Sequence, residues 1–376
     1  MSDTFSDLDR RHMRRALDLA RRGLGRVEPN PLVGAVLADG PRLLAQGFHA
    51  CFGGPHAEAA ALAEAADAAR GATLYVTLEP CAHFGKTPPC APLVSAAGVR
   101  RVVAAMTDPF PEVSGRGFDQ LRAAGLTVEV GLMEEEARRL NAPFIKLHTK
   151  HRPYVIAKWA MTLDGRLAAP SGDARWISSP ESRSWVHTLR SRVDCVLVGA
   201  ATVRHDDPLL TVRLESGATD YLRRPARLIL DSRLSLPLSS QLVATAAQSP
   251  VLVATTLPPD HARAAALSSR GVEILSFPAD SAGRVPLAPL LDELGRRRMT
   301  NLLVEGGPTV LSSFFQADAI DALAIFIAPK FLGGPPAHLA PGPTGLTLMK
   351  DALPLLRPTY IPIGGDLLVQ GLLRDY

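Results

Sequence analysis

Apolar residues in the first part of the chain alternate between helical spacing and strand spacing. Between Leu8 and Gly23 they recur near a helical period, which predicts a helix that ends at the glycine. Two apolar runs, residues 32–38 and 43–48, flank Asp39-Gly40-Pro41 and predict a hairpin. An alanine-rich stretch up to residue 69 predicts a helix with Pro55 in its first turn. Further predicted elements are strands at residues 73–78, 101–106 and 127–130, and helices at 90–98, 117–124 and 134–140.

The second part of the chain repeats the alternation after a break. Asn141-Ala142-Pro143 follows a predicted helix, and Pro153 precedes a new strand, so we place a domain boundary near residue 150. The predicted strands are residues 154–158, 195–198, 226–230, 251–254, 302–304 and 323–328. The pattern predicts two α/β domains, residues 1–150 and 151–376, the first built on a mainly parallel sheet.

Composition narrows the class of protein. Of 376 residues, 47% are hydrophobic and 21% charged, and the formal net charge is +4, which is typical of a folded globular chain. The basic clusters Arg10-Arg11, Arg14-Arg15, Arg21-Arg22 and Arg296-Arg297-Arg298 are expected to be solvated helix faces. A small anionic substrate suits this charge at least as well as a nucleic acid does. We expect no bound nucleic acid and no membrane association, since no apolar run is long enough to span a bilayer.

Cysteine usage and the N-terminus favour the cytoplasm. Only four cysteines occur, too few for a disulfide scaffold in a chain of this length. The first residues show no basic segment followed by an apolar stretch, so we expect no signal peptide.

One constellation has the composition of a catalytic zinc site. His56 and Glu58 open a predicted helix, Cys81 follows a predicted strand, and Cys90 opens the next helix. One histidine and two cysteines suit zinc, and three protein ligands leave a fourth position open for water. Glu58 is then placed to move protons beside the metal. His83 is either a rival ligand, a substrate contact or a loop-packing residue, and Cys51 and Cys195 are expected to be small buried residues.

Polar residues cluster at strand ends in the second domain, although no G-x-G-x-x-G follows a strand there. Glu305-Gly306-Gly307-Pro308-Thr309 joins a predicted strand to a helix, and its paired glycines would let backbone amides approach a phosphate. A plain tight turn explains the same glycines equally well. Arg190 and Arg213 are either surface residues or phosphate ligands.

The motifs together resemble a known family. His-x-Glu with Pro-Cys is typical of cytidine-deaminase-like zinc enzymes, which commonly space their cysteines as Cys-x-x-Cys. The eight residues between Cys81 and Cys90, with Asn30-Pro31 and Thr77-Leu78-Glu79-Pro80, resemble the bifunctional deaminase/reductase of riboflavin biosynthesis. The second half resembles the same family in order, through Lys158-Trp-Ala-Met-Thr-Leu-Asp-Gly-Arg166, Trp176-Ile-Ser-Ser179, Val198-Gly199, Asp206-Asp207-Pro208 and Val304-Glu-Gly-Gly-Pro308.

The resemblance implies a fold, a function and residue roles. It implies a cytidine-deaminase-like three-layer sandwich followed by a dihydrofolate-reductase-like domain, with Zn²⁺ and NADPH as cofactors. A diaminopyrimidine ribosylamino phosphate would be deaminated, and its ribosyl group then reduced to a ribityl chain. His56, Cys81 and Cys90 would bind zinc, Glu58 would shuttle protons, and the remaining predicted contacts divide by ligand. NADPH would contact Ala160, Trp176, Thr202, Asp206 and the segment from Gly307 through Pro308 and Thr309 to Ser313. The substrate would contact Asn30, His83, Lys158, Arg190, Leu210, Arg213 and Glu305, with both arginines on its phosphate.

Two positions depart from the family pattern, and several alternatives remain. Phe84 stands where a second histidine is common, and Ala174 stands where a substrate-contacting serine is common. The alternatives are a zinc deaminase of another nucleobase or of RNA with a non-catalytic second domain, a structural zinc module on a binding domain, and a deaminase with an inactive reductase half. The resemblance also admits a homo-oligomer.

Overall fold

The structure is a computed structural model that describes residues 5–85, 88–110, 113–213, 223–334, 339–342 and 344–376. The chain divides into two compact units, one of Met1–Lys150 with Tyr376 and the other of His151–Asp375. Among the described residues, no helix combines the length and the apolar character needed to cross a bilayer.

The first unit contains five strands, six α-helices and one short 3₁₀ helix, Ala66–Ala69, among its described residues. The strands are β1 (Gly34–Asp39), β2 (Arg42–Phe48), β3 (Thr73–Val76), β4 (Arg101–Ala104) and β5 (Thr127–Val130). The helices are α1 (Asp7–Arg21), α2 (Ala57–Ala65), α3 (Cys90–Ala96), α4 (Arg116–Ala123), α5 (Glu134–Leu140) and α6 (Ala142–Lys150).

These strands form one sheet in the order β2-β1-β3-β4-β5. The β2/β1 and β1/β3 pairs are antiparallel, and β3/β4 and β4/β5 are parallel. The prediction of a mainly parallel sheet was therefore wrong for this unit, because β1, the first strand of the predicted hairpin, pairs antiparallel with both β2 and β3. Because β3 and β4 are parallel, their carboxyl ends lie at the same edge of the sheet.

Alternating strand residues give the first unit its three layers. One face of the sheet packs Leu74 and Val102 against α2, α3 and α4, with Ala61 and Phe118 in that core. The other face packs Tyr75 against α1 and α5, with Leu17 in that core. Because successive strand side chains point to opposite faces, a strand buried on both faces is apolar along its whole length.

The second unit contains nine strands and six helices among its described residues. The strands are β6 (Tyr154–Thr162), β7 (Cys195–Gly199), β8 (Ala226–Leu230), β9 (Val251–Thr255), β10 (Val272–Ser276), β11 (Asn301–Val304), β12 (Ala322–Ala328), β13 (Leu356–Ile363) and β14 (Asp366–Leu372). The helices are α7 (Pro180–Arg190), α8 (Ala200–Asp206), α9 (Gln241–Ala244), α10 (Ala262–Ser268), α11 (Leu287–Arg296) and α12 (Pro308–Gln316).

The nine strands form one sheet in the order β10-β9-β8-β7-β11-β6-β12-β14-β13. All pairs from β10 to β12 are parallel, and the β14 and β13 pairs are antiparallel. Helices α11 and α12 pack on one face through Leu294 and Phe314, and α9 and α10 pack on the other through Leu242 and Leu267. The carboxyl ends of β7, β11 and β6 therefore share one edge, where ligands bind in open α/β sheets.

Five elements differ from the sequence predictions. Pro55 precedes α2 rather than lying in its first turn, because His56 is the residue that caps the helix. Pro143 lies near the start of the unpredicted helix α6, where its missing N–H costs no hydrogen bond. Strand β10 and the hairpin of β13 and β14 were also missed.

Candidate active sites

Three neighbouring segments of the first unit bring together the predicted zinc ligands. His56 is the N-cap residue of α2, and Cys90 is the first residue of α3. Cys81 lies in the loop that follows β3, at the edge where the parallel strands end. Along the sequence, the three ligands are therefore separated by α2, by β3 and by the loop that joins β3 to α3.

The ligand atoms of these residues face a common point. His56 Nδ1 lies 3.3 Å from Cys90 Sγ and 3.5 Å from Cys81 Sγ. The three ligand atoms lie within 4.8 Å of one another, and no other His, Cys, Asp or Glu of the described chain joins the group. Hydrogen bonding by the Cys90 thiol lowers the pKa of Cys81, which favours a thiolate. One imidazole and two sulfurs in this arrangement fit a zinc ion that keeps an open position.

Glu58 lies beside this cluster, on the first turn of α2. Its side chain is buried, and burial raises its pKa to about 7. A carboxyl group with a pKa near neutrality can both accept and donate a proton at physiological pH. The geometry therefore suits the proton shuttle that the sequence predicts.

Asn30 is linked to the cluster through a residue that the sequence analysis missed. The ring of His49 lies edge-on to the ring of His56, with centroids 5.5 Å apart. His49 Nδ1 lies 2.9 Å from the Pro55 carbonyl oxygen, so Nδ1 donates there and Nε2 accepts from Asn30 Nδ2 at 3.1 Å. His49 thus orients the Asn30 amide, and no recognisable motif marks it.

His83 and Phe84 lie on the loop between the two cysteines and are exposed, Phe84 by 82%. His83 does not join the group of metal ligand atoms. A role in contacting substrate stays a prediction. Cys51 is exposed, so its expected burial was wrong, whereas Cys195 is buried on β7.

A second missed residue, Glu79, holds the loop of the metal ligands. Its carboxylate accepts backbone N–H groups from Asp108 at 3.1 Å, Gly115 at 2.9 Å and Gly117 at 2.8 Å. A Cβ on Gly117 would lie 1.9 Å from the Pro80 carbonyl oxygen, so α4 packs directly against the residue before Cys81. The signal for Glu79 is its position two residues before Cys81.

The second unit has a pocket of about 500 Å³ at the carboxyl edge of its parallel strands. The predicted residues that line it are Lys158, Ala160, Trp176, Arg190, Thr202, Asp206, Leu210, Arg213, Glu305 and Gly307. Ala174, at the position that departs from the family pattern, also lines it. The fold thus gathers these residues from a span of about 150 positions, while the ligand that each contacts stays a prediction.

A largely buried cluster of charged side chains lies in this pocket, with exposed side-chain fractions of 15% for Lys158, 12% for Arg190 and 9% for Glu305. Arg190 donates to both carboxylate oxygens of Glu305, at 2.6 and 2.9 Å, and Lys158 Nζ lies 3.9 Å from Glu305 Oε2. Burial acts to raise the pKa of Glu305, but the charge and hydrogen bonds of Arg190 outweigh it and hold the pKa below its usual value. Burial lowers the pKa of Lys158, and Glu305 opposes that change. Arg190 is therefore a buried ion-pair partner rather than a surface residue.

The two glycines before α12 have different surroundings. A Cβ on Gly306 would lie 2.5 Å from Val310 Cβ, so this glycine is required by packing within the turn. Gly307 is the N-cap of α12, and its nearest neighbour would be Thr202 Oγ1 at 3.9 Å, so its backbone is open to the pocket. Pro308 and Thr309 form the first turn of α12. The open helix start fits a phosphate, as the sequence predicts.

Trp176 presents an aromatic face at the mouth of the pocket and is 63% exposed. The Arg183 guanidinium lies 4.5 Å from the centroid of the Trp176 ring, and the Trp176 carbonyl oxygen accepts a hydrogen bond from Lys330 Nζ at 2.6 Å. Both contacts hold the indole beside the pocket. An exposed aromatic plane next to an open helix start fits a dinucleotide, whose bases stack and whose phosphates seek N–H donors.

Family models match both units. The model of the cytidine and deoxycytidylate deaminase zinc-binding region matches residues 6–106, and the model of the RibD C-terminal domain matches residues 153–354. Fold and sites together define a two-domain enzyme, with a cytidine-deaminase-like zinc domain followed by a reductase domain.

Full-length relatives give the family. The riboflavin biosynthesis protein RibD of Aquifex aeolicus is 41% identical over 363 residues, covering 96% of this chain and 98% of that protein. The structure of Acinetobacter baumannii RibD matches with a TM-score of 0.86 and 36% identity over 97% of this chain and 98% of that one. The diaminohydroxyphosphoribosylaminopyrimidine deaminase/5-amino-6-(5-phosphoribosylamino)uracil reductase of Thermotoga maritima matches with a TM-score of 0.81 and 37% identity, over 96% and 98%. The chain belongs to the RibD family of riboflavin biosynthesis enzymes. This confirms the family, the fold class, the bifunctional enzyme class and the zinc and NADPH cofactors expected from the sequence.

Proposed function

We propose that residues 1–150 deaminate a diaminopyrimidine ribosylamino phosphate and that residues 151–376 reduce its ribosyl group to a ribityl chain. The observation that carries the proposal is the pair of sites within one chain. One is a three-ligand His–Cys–Cys cluster beside a buried carboxyl group, and the other is a pocket that holds a buried Lys–Glu–Arg cluster.

In the first site, His56, Cys81 and Cys90 would hold zinc, which supplies a hydroxide nucleophile at neutral pH. Water replaces the amino group on the ring carbon, and ammonia leaves. Glu58 accepts a proton as the nucleophile adds and donates one to the departing nitrogen. Asn30, oriented by His49, and His83 contact the pyrimidine, and the Glu79 carboxylate keeps the cysteine loop in place.

In the second site, NADPH would supply a hydride to the sugar carbon bonded to nitrogen; the bond between that carbon and the ring oxygen breaks, and the oxygen takes a proton and becomes a hydroxyl. Ala160, Trp176, Thr202, Asp206 and the segment starting at Gly307 would contact the cofactor. Lys158 and Glu305 lie in the pocket and position the sugar, because two hydrogen bonds from Arg190 fix the Glu305 carboxylate, which lies 3.9 Å from Lys158 Nζ. Leu210 borders the substrate, and the arginines contact its phosphate. Arg190 is already paired with Glu305, which leaves Arg213 as the guanidinium with more freedom to move.

We further propose that this enzyme acts in the cytoplasm on a small molecule, without nucleic acid or membrane, and that it forms a homo-oligomer. The exposed edge strand β13, with Tyr360 65% and Ile361 39% exposed, supports association of copies through the second unit. Light scattering of the pure protein at several concentrations tests this, and a monomer throughout contradicts it.

The test of function assays the two activities separately in the whole protein. Zinc-loaded protein should release ammonia from the diaminopyrimidine substrate without any nucleotide. The same protein should oxidise NADPH when it is given the deaminated ribosylamino compound. Ammonia release without NADPH oxidation contradicts the reductase assignment. Tight RNA binding that weakens steeply with salt would instead support a deaminase of RNA.

A further inference from the structure

His187 faces the same pocket but has no place in the roles given so far. Helix α7 carries His187 and Arg190 three residues apart, so both side chains lie on one face, and both line the pocket. The imidazole contacts the segment that carries Arg213. The Arg213 backbone N–H donates to His187 Nδ1 at 3.3 Å, Nδ1 also lies 3.2 Å from the Thr211 carbonyl oxygen, and Nε2 lies 3.5 Å from Arg213 Nη2.

The surroundings of His187 keep its ring neutral. The charged groups around it are Arg190, Arg213 and Glu305. Burial, and after it the positive charges of the two arginines, lower the pKa of His187 to about 4. The Arg213 backbone N–H can only donate, so Nδ1 of the neutral imidazole accepts it and the ring proton lies on Nε2. A protonated ring would have no acceptor and would add a third cation.

Arg213 needs such a support more than Arg190 does. Arg190 is fixed by two hydrogen bonds to Glu305 and one, at 3.3 Å, to the Thr211 carbonyl oxygen. Arg213 is exposed, and no carboxylate of the described residues pairs with it. Without a partner, its long side chain has many rotamers, and ordering it on a ligand costs conformational free energy.

We propose that His187 is a positioning residue for the substrate phosphate in the reductase site: its neutral ring holds the segment from Thr211 to Arg213 so that the Arg213 guanidinium faces the pocket. This inference rests on the proposed reductase function. It assigns the orientation of Arg213, whose contact with the phosphate is part of that function, to His187.

The test compares His187→Phe, which keeps a planar ring but removes both nitrogens, with His187→Asn, whose amide oxygen returns an acceptor near the position of Nδ1. We expect His187→Phe to raise KM for the deaminated ribosylamino phosphate about tenfold, with kcat and KM for NADPH within about twofold of the parent. His187→Asn should recover most of that loss. Ammonia release in the first unit should be unchanged.

Two further comparisons separate positioning from a structural role. For the dephosphorylated substrate, the parent and His187→Phe should have the same KM, because no phosphate meets Arg213. In a background of Arg213→Met, adding His187→Phe should have no further effect. Equal losses for both substrates, or losses that add to those of Arg213→Met, overturn the proposal.

A binding measurement keeps this inference distinct from the proposed function. Calorimetric titration with ribose 5-phosphate needs no turnover, and His187→Phe should bind it about tenfold more weakly than the parent. Equal affinity overturns the role of His187 even where the parent reduces its substrate. Should His187→Phe lose NADPH binding through misfolding, His187→Leu replaces it, with the same losses expected because it also lacks an acceptor at the position of Nδ1.

Discussion

Cys90 Sγ lies 3.3 Å from His56 Nδ1, although 34 positions separate the two residues along the chain. Each is at the start of a helix, and Cys81 completes the group from a strand end. The three ligands therefore depend on the packing of two helices and one sheet edge, not on a local loop. Metal binding and the folding of this edge should be coupled.

The first prediction concerns the metal ligands. Cys81→Ser should lose zinc and ammonia release, because a hydroxyl is a poor substitute for a thiolate ligand. The exposed Cys51 is outside the ligand group, so Cys51→Ser should retain both. Zinc content is measured by atomic absorption, and reductase activity should persist in both variants. Full zinc content in Cys81→Ser would show that Cys81 is not a ligand.

The second prediction concerns Glu58. Glu58→Gln should retain zinc while ammonia release falls by about 10²–10⁴-fold, because the amide cannot transfer a proton. Asp67→Asn, an exposed change just beyond the same helix, is the matched control and should behave like the parent. Substantial ammonia release by Glu58→Gln would refute its assigned role.

The third prediction concerns the contact of α4 with the cysteine loop. A Cβ at Gly117 would overlap the Pro80 carbonyl oxygen at 1.9 Å, so Gly117→Ala must displace either the helix or the loop. We expect zinc affinity to fall by about 10–100-fold, as for the loss of other supports of metal ligands. Gln120→Ala on the exposed side of α4 is the control. Unchanged affinity in a competition with a chelator would mean that the loop position does not depend on this contact.

The fourth prediction concerns the buried ion pair. Glu305→Gln leaves Arg190 and Lys158 without a carboxylate, so it should destabilise the second unit by about 3–5 kcal/mol and abolish reduction. Asp292→Asn removes the exposed ion pair with Arg152 and should cost less than about 1 kcal/mol. Tryptophan fluorescence during urea unfolding reports on this unit, because Trp159, Trp176 and Trp185 all lie in it. If both variants lowered the free energy of unfolding by the same amount, burial would not be the reason that the Glu305 ion pair stabilises the unit.

Sequence patterns located the sites better than they located the sheet edges. Buried parallel strands such as β7 and β8 are continuous apolar runs, and the polar residues that follow them fall at a common edge. Strand β13 lacks this signal because it is an exposed edge strand interrupted by Pro358 and Pro362. Its partner β14 pairs with both β12 and β13 but was missed as well, although Gly364-Gly365 lies at the turn between β13 and β14.

The roles of residues that support the sites could not be found from the sequence. His49 and His187 act through backbone groups or through another side chain, so no motif requires their type. Glu79 lies in the segment Thr77-Leu78-Glu79-Pro80 that carries the family resemblance, but only the fold shows that its carboxylate holds the cysteine loop. Their contacts arise from packing between segments distant in sequence. Glu305 was found because its Gly-Gly turn is a recognisable pattern, but its ion pair with Arg190 needs the fold, which brings together residues 115 positions apart.

The order of the two reactions tests the account most directly. Pure zinc-loaded protein is incubated with the diaminopyrimidine ribosylamino phosphate, with and without NADPH, and the products are followed by mass spectrometry. The account predicts a deaminated ribosyl product without NADPH and its conversion to the ribityl compound when NADPH is added. An unchanged substrate under both conditions would contradict the account and favour another nucleobase as substrate.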